Sequence, residues 1–169
     1  FFDQGVATGF LRNFSRHFSA IQALVKGEPV TPVSIEIQPS GTCNINCRFC
    51  GFGEQRALHR KMNLTVEQME HLIQDIQEFN RTAPHPMTEI KFNGIFSDPL
   101  AGAAKKATVR GLELAVAGNF WTGLFTNGIE LSEEVQRALV GGKDRSAAVV
   151  KISLDASTWE NYHRIKKQG

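Results

Sequence analysis

At 169 residues, with 41% hydrophobic and 21% charged residues, the chain has the size and make-up of one ordinary globular domain. A formal net charge of +2 gives no basis for a nucleic-acid or anionic-membrane partner. No apolar run approaches the ~20 residues needed to cross a bilayer, and Phe1-Phe2-Asp3-Gln4-Gly5 lacks the basic lead-in of a secretory signal.

Along residues 10–25, Phe10, Phe14, Phe18, Ile21 and Val25 recur in steps of four and three, the apolar face of a helix. Gly27 and Pro29 end it. Residues 1–30 are therefore read as an N-terminal helical extension and 31–169 as the core domain. Val33-Ser-Ile-Glu-Ile-Gln38 alternates like a strand and runs straight into Cys43-Asn44-Ile45-Asn46-Cys47-Arg48-Phe49-Cys50. Thr65, with Gln68 three residues on, forms a capping box. The helix that follows presents Val66, Met69, Leu72, Ile73, Ile76 and Phe79 on one face.

Pro84 and Pro86 break the chain before a second strand near Thr88–Asn93. A looser helical stretch holds Ala103, Ala104, Leu112, Leu114 and Val116, weakened by Gly111. Trp121–Thr126 reads as a third strand closing on the Asn127-Gly128 turn. Ser132 caps a short helix, with Glu133 and Glu134 suiting its dipole. Val149–Leu154 is a fourth strand, and Thr158 opens a last helix. The order β-α-β-α-β-α-β-α defines an α/β fold with a parallel sheet, whose ligands sit at the carboxyl ends of the strands. Alternation puts Lys151, Ser153 and Asp155 on one face of the fourth strand. In a sheet buried on both faces such a polar row needs a reason.

The C-x3-C-x2-C run contains all three cysteines of the chain. An odd count at this spacing is no disulfide scaffold, and in a reducing cytoplasm such clusters are metal sites. A structural zinc site closes with four ligands, and His59, nine residues after Cys50, is the candidate fourth. That reading makes the chain a non-catalytic zinc-binding module. A cubane iron–sulfur cluster is usually held by four cysteines. Three thiolates would leave one iron open to a ligand, which disfavours a simple electron-transfer protein.

Cys43, Cys47 and Cys50, with Phe49 before the last, resemble the signature of the radical S-adenosylmethionine enzymes. The resemblance covers residues 33–169 and implies the N-terminal part of that superfamily's core domain. Its fold would be a partial TIM-type barrel, with the first four βα units of an expected six. The chain has no initiator Met and stops at Gln168-Gly169, and it is read as a portion of a longer protein, truncated at the C-terminus.

The cofactors implied are a 4Fe–4S cluster on the three cysteines and S-adenosylmethionine on its open iron. Electron transfer would cleave the sulfonium to a 5′-deoxyadenosyl radical, which takes a hydrogen atom from the substrate. Phe49 would shield the cluster. Gly94 and Asp98, within Gly94-Ile95-Phe96-Ser97-Asp98-Pro99-Leu100, resemble the family's Gly-Gly-Glu-Pro segment with its second glycine replaced. The carboxylate would receive the methionine ammonium through charge-assisted hydrogen bonds. The same segment also reads as a Ser-Asp-Pro turn.

Thr126-Asn127-Gly128 resembles a family segment beside the cofactor, although Asn-Gly is equally a turn signal. Ser153 and Asp155 match a Ser-x-Asp pattern that reaches the cofactor's carboxylate or ribose; Asp155 reads equally as a cap or turn residue. Tyr162–Gly169 resembles the stretch after that helix, and its charges read by default as a solvated basic face. The resemblance implies a cytoplasmic enzyme served by an electron donor such as flavodoxin or ferredoxin. Its substrate would be a peptide, as for maturases, or a small molecule or nucleoside.

Overall fold

The computed structural model describes residues 14, 15, 17–51, 62–95, 97–140 and 148–166. Phe10, His59, Phe96 and the final Lys167-Gln168-Gly169 lie outside them. Among the described residues nine elements follow in chain order. They are α1 (Phe18–Val25), β1 (Ser34–Ile37), α2 (Val66–Thr82), β2 (Glu89–Phe92), α3 (Ala104–Ala117), β3 (Trp121–Thr126), α4 (Glu133–Val140), β4 (Ala148–Ile152) and α5 (Trp159–Ile165). The strands form one sheet in the order β1-β2-β3-β4. Every pair is parallel. This is the α/β architecture that the alternation of periods predicts.

Alternation along each strand sends one set of side chains toward the helices. Ile37, Ile90, Phe92 and Leu124 are buried there against Met69, Ile73 and Ile76 of α2, Leu112 and Ala115 of α3, and Val135 and Leu139 of α4. The alternate set, Glu36, Lys91, Gly123 and Val149, stands in register across the four strands. It lies on the sheet's other face. Burial of a side chain such as Ile73 or Ile90 stabilises the fold by about 1.5–3 kcal/mol. The layer of helix against sheet thus dominates the stability.

Local signals account for several boundaries. The Thr65 hydroxyl accepts from the Gln68 N–H at 3.1 Å, and the Gln68 side chain accepts from the Thr65 N–H at 2.9 Å. The capping box therefore starts α2 as expected. Thr158 caps α5, accepting from the Asn161 N–H at 3.3 Å. Gly111 does not loosen α3, because it is buried. A Cβ there would stand 2.7 Å from Phe92 Cε1 and 2.8 Å from Met69 Sδ, so a glycine lets α3 close on α2 and β2.

Three expectations are corrected. Ser132 Oγ is buried without a hydrogen-bond partner and caps nothing. The N-terminal helix buries only Ala23, while Phe14, Phe18 and Val25 of its expected apolar face are exposed. The fourth strand is not buried on both faces. β4 is an edge strand, with Val149, Val150 and Ile152 exposed, so its polar row needs no special compensation. No helix among the described residues is long and apolar enough to cross a membrane.

Candidate functional site

The loops that leave the carboxyl ends of the four strands meet around a cavity of about 500 Å³. The first loop contributes Cys43, Cys47, Phe49 and Cys50, and the second Asn93, Gly94, Ser97 and Asp98. Phe125, Thr126 and Asn127 come from the end of β3, and Ser153, Asp155 and Lys166 from beyond β4. The chain thus brings the nine residues read as cluster or S-adenosylmethionine contacts to one concavity, at the strand ends where a parallel sheet binds ligands; His59 lies outside the described residues.

The cysteine loop is seated from below. Ser40, buried, shares hydrogen bonds with Thr42 and with Asn63 Oδ1 at 3.2 Å. The Ser97 hydroxyl donates to the Ser40 carbonyl, and the Asp98 N–H donates to the Thr42 carbonyl at 3.0 Å. These bonds tie the loop after β1 to the loop after β2. All three cysteines are of intermediate burial and none is in a disulfide. The Asn127 side-chain amide stands 3.9 Å from Cys43 Sγ and donates to Asn44 Oδ1 at 2.7 Å. Asn44 Nδ2 is buried and has no partner. Among the described residues, no group of three or more His, Cys, Asp or Glu side chains is arranged to hold a metal ion.

Asp98 is 3% exposed and serves both neighbouring strand ends. Its Oδ1 accepts from the Leu100 N–H at 3.0 Å and its Oδ2 from the Asn127 N–H at 2.6 Å. The Thr126 hydroxyl donates to the carboxylate at 2.9–3.0 Å. Three protons therefore reach a group with about four acceptor positions. Among the described residues no ion pair reaches it. Gly94 is where the chain turns sharply: a Cβ there would collide with the Ser97 carbonyl. Asn93 donates to Glu36 at 2.6 Å, while its own Oδ1 is buried and unpartnered at the cavity.

Beyond β4, the Ser153 N–H continues the ladder to the Thr126 carbonyl at 2.9 Å. Asp155 turns the chain at φ 29°, in the left-handed region that Asp tolerates better than most residues. The Leu154 carbonyl accepts from the Ala156 N–H around that turn. Of the two uses weighed for Asp155 as a local structural residue, the turn is present, and the helix cap is Thr158.

Lys166 departs most from its expected place. It is not part of a solvated face but is 2% exposed. Its ammonium donates to the Ser153 carbonyl at 2.9 Å and pairs with the Asp155 carboxylate. It also lies 5.8 Å from the centroid of the Phe49 ring, and Phe49 itself is 62% exposed at the cavity rim. A Lys beside a second Lys, after Ile165, gives no sign of burial in the sequence. Thr126 belongs to the Thr-Asn-Gly segment noted in the sequence, but its hydrogen bond to Asp98 is visible only in the structure.

With this geometry in place, solved structures of Streptococcus suis SuiB show the same arrangement of strands and helices. The complex of SuiB with precursor peptide SuiA superposes with a TM-score of 0.63, a second SuiB structure with 0.60 and the SuiB complex with S-adenosylmethionine with 0.59. Identity is 15% in each case, over 92% of this chain and 31% of SuiB. At that identity the likeness is one of fold, and the chain spans about a third of the SuiB length. No protein-family model matches the sequence, and no curated protein matches it.

Proposed function

We propose that this chain is the N-terminal part of a radical S-adenosylmethionine enzyme. In this reading Cys43, Cys47 and Cys50 hold a 4Fe–4S cluster, and S-adenosylmethionine occupies the adjoining cavity. The observation that carries it is the convergence of the three thiols with Gly94, Asp98, Asn127, Ser153 and Asp155 on one cavity at the strand ends. The donor types fit, and the three thiols, which are not gathered around one metal position in the structure, would have to close on the cluster. Three thiols border the space, and the Asn127 amide and the partnerless Asn44 Nδ2 sit beside them as hydrogen-bond donors. Such donors tune a cluster's potential. The buried Asp98 carboxylate has an acceptor position left over, and Asn93 Oδ1 is a free acceptor. Both suit an ammonium group.

When bound, the cluster and S-adenosylmethionine would supply a 5′-deoxyadenosyl radical for hydrogen abstraction, with electrons from a donor such as flavodoxin or ferredoxin. The residues of the chain bind and orient. Asp98 and Asn93 would hold the ammonium, Ser153 and Asp155 the carboxylate or ribose end, and Phe49 would cover the cluster's outer side. The proposed substrate is a peptide, in line with SuiB having been crystallised with a precursor peptide. Iron, sulfide and zinc analysis of the protein reconstituted without oxygen tests the reading. About four irons per chain, lost on Cys47→Ala, is the expected result. Stoichiometric zinc without iron would favour the zinc module instead.

A further inference from the structure

We infer that Lys166 is a positioning residue whose buried ammonium fastens the cysteine loop to the end of β4. The inference rests on the reading of that loop as the cluster's seat. Lysine is almost never buried without partners, and here the partners come from two separate parts of the chain. The Ser153 carbonyl and the Asp155 carboxylate belong to the turn after β4. The Phe49 ring belongs to the cysteine loop, and it offers its π system to the cation. An ammonium has three protons. The carbonyl and the carboxylate each take one, and the ring lies within cation–π range, 5.8 Å away at its centroid.

A second tie runs in parallel. The Arg48 N–H donates to the Ile165 carbonyl at 2.9 Å, so two adjacent loop residues are gripped by the last turn of α5. Phe49 lies between Cys47 and Cys50, and the Cys50 N–H donates to the Cys47 carbonyl at 3.1 Å. Displacing Phe49 therefore moves two of the three thiols. The same cation holds Asp155 in its left-handed turn and fixes the Ser153 carbonyl. One side chain thus couples the loop that would carry the metal to the segment that would carry Ser153 and Asp155 toward the ligand.

Hydrogen–deuterium exchange on the anaerobically purified protein tests this, comparing wild type with Lys166→Met, Lys166→Arg and Asp155→Asn. Lys166→Met should speed exchange about tenfold in both residues 43–51 and residues 153–166, while α2 keeps its protection. Lys166→Arg should restore the slow rates, and in iron-loaded samples the electron paramagnetic resonance line shape of the reduced cluster should change in Lys166→Met alone. Acceleration confined to 153–166, or none at all, would reduce Lys166 to a local anchor of α5 and overturn the proposal. If Lys166→Met also exposes α2 and so fails to fold, Asp155→Asn decides. Faster exchange at 43–51 in that variant supports the latch, and unchanged exchange there rejects it. If the wild-type protein takes up no iron but Lys166→Met still speeds exchange in both segments, the cluster reading falls and the latch stands.

Discussion

Asp98 and Ser153 border the same cavity, yet their side chains do different work. The Asp98 carboxylate is the shared acceptor for the Leu100 and Asn127 N–H groups and the Thr126 hydroxyl. Asp98→Ala strands those donors, at about 1–3 kcal/mol for a buried group left unpaired. Thermal unfolding should show a lower Tm together with weaker S-adenosylmethionine binding. Ser153 is exposed, and it is its carbonyl, not its hydroxyl, that holds Lys166. Ser153→Ala should leave the Tm unchanged and weaken S-adenosylmethionine by roughly tenfold, the loss of about one hydrogen bond. Calorimetric titration of the reconstituted protein measures it, and equal affinity would remove Ser153 from the site. Much of this site was legible because its residues are chemically conspicuous: three clustered thiols, an Asp-Pro, an Asn-Gly, a Ser-x-Asp. The burial of Lys166 and the bond of the Thr126 hydroxyl were not. They depend on partners 117 and 28 positions away in the chain, which no local pattern encodes.

Among the elements, α3 depends most on one small residue. Gly111→Ala places a methyl group against Phe92 and Met69, both fully buried, and overpacking of this kind costs about 1–3 kcal/mol. Urea denaturation should show a lower midpoint with an unchanged slope, even though alanine is the better helix former. An unchanged or higher midpoint would mean that α3 slides away at little cost. The helices and strands themselves were readable because apolar periodicity and capping boxes act within a few residues. Ser132 shows the limit of that approach. It precedes a helix with two acidic residues in its first turn, yet its hydroxyl is buried and makes no bond. The exposed Phe14 and Phe18 show another limit, since periodicity marks an apolar face without saying what covers it.

For the molecule as a whole, β4 is the point of exposure. Among the described residues it pairs only with β3, and Val149, Val150, Ile152 and Leu154 are 39–62% exposed along it. An edge strand of this composition is a template for pairing with another chain. A polypeptide of residues 1–169 expressed by itself should therefore self-associate, and Val150→Lys with Ile152→Lys should shift it toward monomer in light scattering. A wild-type monomer at high concentration would contradict this. Such a polypeptide, given dithionite and S-adenosylmethionine without oxygen, should also fail to sustain substrate-coupled production of 5′-deoxyadenosine. The bond from Arg48 to Ile165 has a further meaning when set in time. A ribosome adding ~5–20 residues per second delivers the cysteines roughly 6–25 s before the helix end that grips their loop. In that interval the three thiols are on the nascent chain without their anchor. Those seconds are the period in which oxygen or a stray metal ion would meet them first, so on the proposed reading assembly of a cluster would be a task for the finished chain.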